Sequence, residues 1–153
     1  MRFFLLILIF LSINLSAKQI IGSIDKIDLP LLNLQNVKSR IDTGAAYSSL
    51  HATDIEVIHD KFVKFKALGN VTRTEPIAKT QGVRCSNGVL QNRYFIRTKV
   101  VIFGKTYDSE ISLNDRTTMF YPFLVGRDVL KQNFIVDVEE ENLSFELKEC
   151  TED

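Results

Sequence analysis

Val63, Phe65 and Ala67 alternate with Lys64 and Lys66, and this two-residue rhythm of apolar and polar positions, the mark of a half-buried strand, returns along much of the chain. Short strand-like runs cover residues 19–24 and 37–42. Residues 94–103 and 107–113 predict two longer strands joined around Gly104-Lys105 as a hairpin. Residues 134–138 and 142–147 predict another hairpin, with Leu143, Phe145 and Leu147 on one face. Only residues 126–132 carry a helical pattern. Residues 69–88, rich in Gly, Thr, Asn and Arg with one Pro, suit a long hairpin or a loop over a cleft. The expectation is one compact all-β domain with a single short helix near its C-terminal part.

Residues 1–17 stand outside that rhythm. Met1-Arg2, an apolar run over residues 3–11 and then Ser12-Ile13-Asn14-Leu15-Ser16-Ala17 have the charged start, short hydrophobic centre and small-residue end of a secretory signal. A spanning helix needs about 20 apolar residues, and Ser12 and Asn14 end the run short of that. The domains expected are therefore a signal peptide, 1–17, and a mature domain, 18–153, in the periplasm with no membrane attachment after cleavage. Leu15 is an imperfect residue three places before the cut, so an uncleaved inner-membrane anchor is the alternative. No Cys follows the cut, which argues against a lipoprotein.

Charge changes the picture little. Lys plus Arg equals Asp plus Glu at 19 each, and loss of Arg2 with the leader leaves a formal charge of −1. This balance argues against a nucleic-acid partner, which calls for a basic face. The two cysteines, Cys85 and Cys150, lie far apart in a chain expected in an oxidising compartment, where a bridge between them is an option.

Candidate chemistry centres on Asp42-Thr43-Gly44-Ala45, entered from a strand-like run. In an aspartic peptidase two carboxylates lie so close that they share one proton, and the pair activates the water that attacks the peptide carbonyl. Thr43 would brace the turn through its hydroxyl, and Gly44, lacking a side chain, lets backbone and water approach Asp42. With residue frequencies of about 5–7 % each, such a tripeptide arises by chance in a few per cent of chains this long. A second segment is therefore needed, and Phe123-Leu124-Val125-Gly126-Arg127 supplies it: an apolar strand running through Gly into a short helix, as behind the catalytic turn of retroviral-type peptidases.

With these two segments, Ser48-Ser49-Leu50-His51-Ala52, Cys85-Ser86-Asn87-Gly88, Arg93-Tyr94, Leu113 to Met119 and Tyr121-Pro122 complete an ordered series. The chain resembles the bacterial retropepsin-like aspartic peptidase family labelled ATP-dependent zinc protease, often encoded with glutamate-ligase-type ATP-grasp enzymes. The resemblance spans nearly the whole mature chain. It implies a closed acid-peptidase barrel, Asp42, Thr43 and Gly44 as the catalytic turn, Ala45, Ser86, Asn87 and Gly88 as substrate-binding residues, and Gly126 and Arg127 as support. It also implies a flap from residues 69–92. Ala46 and Tyr47 replace the acidic residues of the retroviral pattern, which leaves Arg127 to find another partner.

Neither word of the label follows from the residues. The nitrogen and sulfur ligands are His51, His59, Cys85 and Cys150, without a His-Glu-x-x-His helix or a Cys-x-x-Cys pair, so no metal is expected. His51 reads as a packed or hydrogen-bonded residue. No Gly-rich phosphate loop ending in Lys-Ser or Lys-Thr occurs, so no nucleotide cofactor is expected either. Asp115 and Asp128 could supply the second carboxylate but read more simply as a local ion pair and a helix-start charge. Asp137 lies on the face opposite Val136 and Val138. Glu139-Glu140-Glu141 reads as a solvated hairpin tip. Ser48 and Ser49 lack a base that would make either a nucleophile.

Two functions follow. One is an aspartic endopeptidase acting on a peptide or protein substrate, its dyad completed across a two-fold axis in a homodimer, since an isologous pair sets each residue opposite its own copy. The other is a non-catalytic peptide-binding or signalling module on the same fold.

Overall fold

The computed structural model describes residues 17–84 and 88–152. The expected leader, and Cys85, Ser86 and Asn87 of the substrate-binding expectation, lie outside the described residues. Strands β1 (Gln19–Ile21), β2 (Ile24–Leu29) and β3 (Leu34–Ile41) lead to the Asp42 turn, and β4 (Ser49–His51) leaves it. Then come β5 (Thr53–Ile58), β6 (Phe62–Lys66), β7 (Thr72–Pro76) and β8 (Lys79–Arg84). The long pair β9 (Leu90–Ile102) and β10 (Lys105–Asn114) follows, then β11 (Phe123–Val125), helix α1 (Arg127–Asn133), β12 (Phe134–Val136) and helix α2 (Leu143–Glu152). The fold is mostly β with two short α-helices.

One sheet carries the Asp42 turn. Its hydrogen-bonded order is β10-β4-β11-β3-β2-β9-β8, and β9 also pairs with β10, so the run of pairings returns to its start. β9 is long enough to serve three partners: β8 along its first half, β10 along its second, and β2 at Asp28↔Val101. The β9–β10 hairpin turns at Phe103 and Gly104, both at positive φ, the backbone that a two-residue hairpin turn demands. Ile27, Ile41, Ile96, Ile111, Phe123 and Val125 fill the interior, inward-facing residues of five different strands. β5, β6 and β7 form a separate antiparallel sheet that packs Val63 and Phe65 into the same core.

The second helix corrects the expected hairpin of residues 134–138 with 142–147. Asn142 adopts φ 59, a left-handed conformation that Asn tolerates and that ends an extended run. Its carbonyl then accepts the Glu146 N–H at 2.9 Å, the first helical bond. The buried Asp25 carboxylate takes the next free donors, Ser144 N–H at 2.9 Å and Phe145 N–H at 3.1 Å. Residues 134–136 instead pair parallel with β1. Glu139-Glu140-Glu141 is exposed, as its charge requires, but is not a hairpin tip: the Glu140 carbonyl accepts Ser23 N–H at 2.7 Å and Glu141 bridges Ile24.

Candidate active site

Asp42 stands where β3 ends, and three short segments are tied together beneath it. β11 lies between β3 and β4, parallel to the first (Val125↔Ile41) and antiparallel to the second (Phe123↔Leu50). The Val125 carbonyl accepts the Asp42 N–H at 2.9 Å. One residue on, the Gly126 N–H donates to Ser48 Oγ at 3.0 Å, and the Arg127 N–H donates to the Ala45 carbonyl at 2.9 Å. The turn is thus held at three successive residues.

The carboxylate is aimed by its own turn. Asp42 Oδ1 accepts N–H bonds from Gly44 at 2.9 Å and Ala45 at 3.1 Å. Oδ2 has no hydrogen bond among the described residues, and Asp42 is half-buried. A Cβ at Gly44 would sit 3.2 Å from Oδ1, crowding the group. Gly126 is more constrained: a Cβ there would lie 2.7 Å from the Tyr47 carbonyl oxygen and 2.8 Å from the Ser48 nitrogen, both rigid backbone. This close approach explains why an apolar strand must end in Gly behind the turn.

Arg127 finds the partners that the absent acidic residues left open. Its Nη1 donates to the carbonyls of Thr43 at 2.9 Å and Gly44 at 2.8 Å. Asp128 forms no pair with it. Its Oδ1 accepts Ser48 N–H and Ser48 Oγ–H, each at 2.9 Å, and its Oδ2 accepts Ser109 Oγ–H at 2.5 Å. Thr43 is exposed, with no side-chain hydrogen bond among the described residues. Gly88, at φ 82, lies in the β8–β9 tip, where its carbonyl accepts from Arg84 at 3.5 Å.

The other candidate acids bond elsewhere among the described residues. Asp115 Oδ1 accepts the N–H and hydroxyl of Thr117, at 2.9 and 2.5 Å. Asp137 Oδ1 accepts Glu139 N–H. The local ion pair expected between Asp115 and Arg116 does not form, because Arg116 turns inward, only 6 % exposed, and donates from Nε to the Tyr121 carbonyl at 3.0 Å. Burial and the Arg93 charge push the Arg116 guanidinium below its ordinary value, and the Asp42 charge pulls it back up. Arg116 thus feels the Asp42 charge, the weakest of the three influences on it, and is a residue that sequence reasoning passed over because its neighbour offered an easier partner. Among the described residues, no three His, Cys, Asp or Glu gather as a metal site. Cys150 is an exposed free thiol on α2.

A family model described as "Retropepsin-like aspartic endopeptidase RimB" matches residues 20–146. The chain belongs to the RimB-like family. The expected resemblance is thereby borne out, and the RimB-like match takes in the Asp42 turn, β11 and the Arg116 loop together. Curated relatives named "Probable alpha-L-glutamate ligase" include one from Parasynechococcus marenigrum, 33 % identical over 135 residues, and one from Desulfotalea psychrophila, 30 % identical over 131 residues. The matches cover 82 % and 79 % of this chain but 29 % and 28 % of those relatives, so this RimB-like chain spans less than a third of their length. A solved structure of a Legionella pneumophila protein of unknown function superposes with a TM-score of 0.67 at 22 % identity, covering 84 % of this chain and 99 % of that one. It shares the RimB-like chain's fold.

Proposed function

We propose that this protein is an aspartic endopeptidase in which Asp42 of two copies forms the water-activating pair. The observation that carries the reading is the Asp42 carboxylate itself, fixed through Oδ1 by two N–H donors while Oδ2 accepts no bond among the described residues, on a turn braced by β11 and Arg127. The return of the strand pairings to β10 supports a closed barrel, and the β8–β9 hairpin with Gly88 at its tip would act as the flap. Ala45, Ser86, Asn87 and Gly88 would bind the peptide backbone. The exposed Thr43 would meet its counterpart across the two-fold axis.

Acid-rich peptides are the substrates we favour. Arg127 lies on the Asp42 turn, Arg116 feels the Asp42 charge, and the curated relatives are named "Probable alpha-L-glutamate ligase". Residues 1–17 would direct the chain to the periplasm.

Purified protein incubated with glutamate-rich peptides and with a mixed peptide library tests the reading. Wild type should cleave, and Asp42→Asn should lose about 10²-fold or more of the rate. Unchanged cleavage by Asp42→Asn sinks the peptidase reading, and cleavage by a strict monomer sinks the shared pair. The rival, a peptide-binding module, draws on the Asp42 carboxylate having no second carboxylate bonded to it among the described residues of a single chain. It requires peptide binding without cleavage in wild type, with affinity unchanged in Asp42→Asn.

A further inference from the structure

Residues 115–121 join β10 to β11 and carry Arg116. The loop is stiffened from within: Asp115 holds Thr117, the Met119 N–H donates to the Arg116 carbonyl at 2.8 Å, and the Arg116 Nε closes on Tyr121. Yet Phe120 is 92 % exposed, so apolar packing does not anchor this stretch. The outside anchor is His51, the last residue of β4. Its backbone N–H donates to the Pro122 carbonyl at 2.7 Å, and its ring Nδ1 accepts the Arg116 N–H at 3.0 Å.

An imidazole nitrogen that accepts an N–H bond carries no proton. The bond therefore exists only while Nδ1 is bare. The same nitrogen lies 3.9 Å from Asp115 Oδ1, too far for a hydrogen bond and near enough to attract an imidazolium. Asp115 is held below the usual carboxylate range, first by its two bonds from Thr117 and further by His51, so it stays negative in mild acid. The other charges at the loop are the Arg116 guanidinium, Arg93 and Asp42, which act on it with opposite signs, and Lys38 and Arg40, which lie 5.4 and 5.8 Å from the centre of the Tyr121 ring.

We propose that His51 is a positioning residue: with Nδ1 bare it pins the Arg116 backbone, and the guanidinium with it, beside Asp42, whereas protonation at Nδ1 turns the ring towards Asp115 and releases that anchor. Imidazole changes charge in the range where this would act, between about pH 5 and 8. The effect is local, because the Pro122 bond uses the His51 backbone and persists in both states. Under the peptidase reading, the consequence is a pH-dependent cation at the Asp42 site; the anchor itself does not depend on that reading.

Amide hydrogen exchange at Arg116, followed by NMR between pH 5 and 8 and corrected for intrinsic rates, tests the proposal without any substrate. In wild type, protection should fall between about twofold and tenfold as the His51 ring titrates, the range expected for one lost hydrogen bond. His51→Asn places an amide oxygen near the position of Nδ1 and does not titrate, so it should keep Arg116 protected across the range. Wild-type protection that ignores the His51 titration overturns the proposal. So does a pH response that persists in His51→Asn, since another group would then be responsible. If peptide cleavage is also measured, its pH profile should flatten in His51→Asn, whereas failure of all cleavage bears only on the peptidase reading.

Discussion

The Asp25 carboxylate, buried on the second strand, caps a helix 119 residues further along the chain by accepting the Ser144 N–H at 2.9 Å. The same group accepts Phe145 N–H at 3.1 Å and Lys26 N–H at 2.8 Å, so one side chain serves three backbone donors. The C-terminal helix is thereby fastened to the sheet by a polar contact as well as by packing.

Burial is the strongest influence on Asp25 and pushes its carboxyl above the ordinary 3.8; the bonds from Ser144, Lys26 and Phe145 pull it down, and Glu146 pushes up again. A carboxyl raised in the folded state adds stability that is complete below its ordinary value and is lost as pH rises through the folded value. Urea unfolding of wild type and Asp25→Asn should therefore diverge in favour of wild type as pH falls from 7 towards 4. Asp25→Ala, which strands the donors, should cost about 2–3 kcal/mol at neutral pH.

Gly126→Ala should cost more than a helix-start substitution normally would. The added methyl meets the Tyr47 and Ser48 backbone, which cannot swing aside as a side chain can. A loss of about 1–3 kcal/mol by thermal or chemical denaturation is expected, with cleavage falling beyond what the folded fraction accounts for. Wild-type stability in this variant would show that the turn and β11 are less tightly joined than their distances imply.

Ser48 and Asp128 act as a unit, because Ser48 Oγ receives the Gly126 N–H while donating to Asp128. A double-mutant cycle with Ser48→Ala and Asp128→Ala should give a coupling energy of about 0.5–3 kcal/mol. Strict additivity would mean that Asp128 holds the turn through the Ser48 backbone N–H and Ser109, without help from the Ser48 hydroxyl.

Arg127→Ala removes the bonds to the Thr43 and Gly44 carbonyls from an exposed side chain. Stability should drop by no more than about 1.5 kcal/mol, while cleavage at saturating substrate falls several-fold as the turn loosens. Arg127→Lys should recover part of that rate. A fall in stability with no change in rate would assign Arg127 to the fold and not to the site.

Thr43→Ala addresses the second copy. If the hydroxyl bridges the two turns, sedimentation should show dimer association weakened by about tenfold, with monomer stability unchanged because Thr43 makes no side-chain bond within its own chain among the described residues. An unaltered dimer places the contact elsewhere.

Much of this molecule could be read from residue order. The β9–β10 hairpin follows from alternation flanking Gly104, and α1 follows from Gly126 and the helical run beyond it. The Asp42 turn and the Gly126 segment were identifiable as one site because both are local motifs. β4 was harder: at three residues it is too short for a period to show, and its strand character comes from pairing with β10 and β11. The separate β5-β6-β7 sheet was legible only at β6, since β5 is largely exposed and β7 ends in Pro76.

The sequence by itself determined the strand-rich class, the family, the Asp-Thr-Gly turn and the strand-Gly-helix segment that braces it, because each depends on residues adjacent in the chain. Only the tertiary structure decided that residues 143–152 form a helix, that Arg116 turns inward to the Tyr121 carbonyl instead of pairing with Asp115, and that His51 anchors its loop. Those outcomes rest on partners brought from distant segments: the Asp25 cap for the helix, the Tyr121 carbonyl and Asp42 charge for Arg116, the Arg116 amide for His51. Alternating Leu143, Phe145 and Leu147 fit either conformation in isolation, and a buried carboxylate from the second strand selected one.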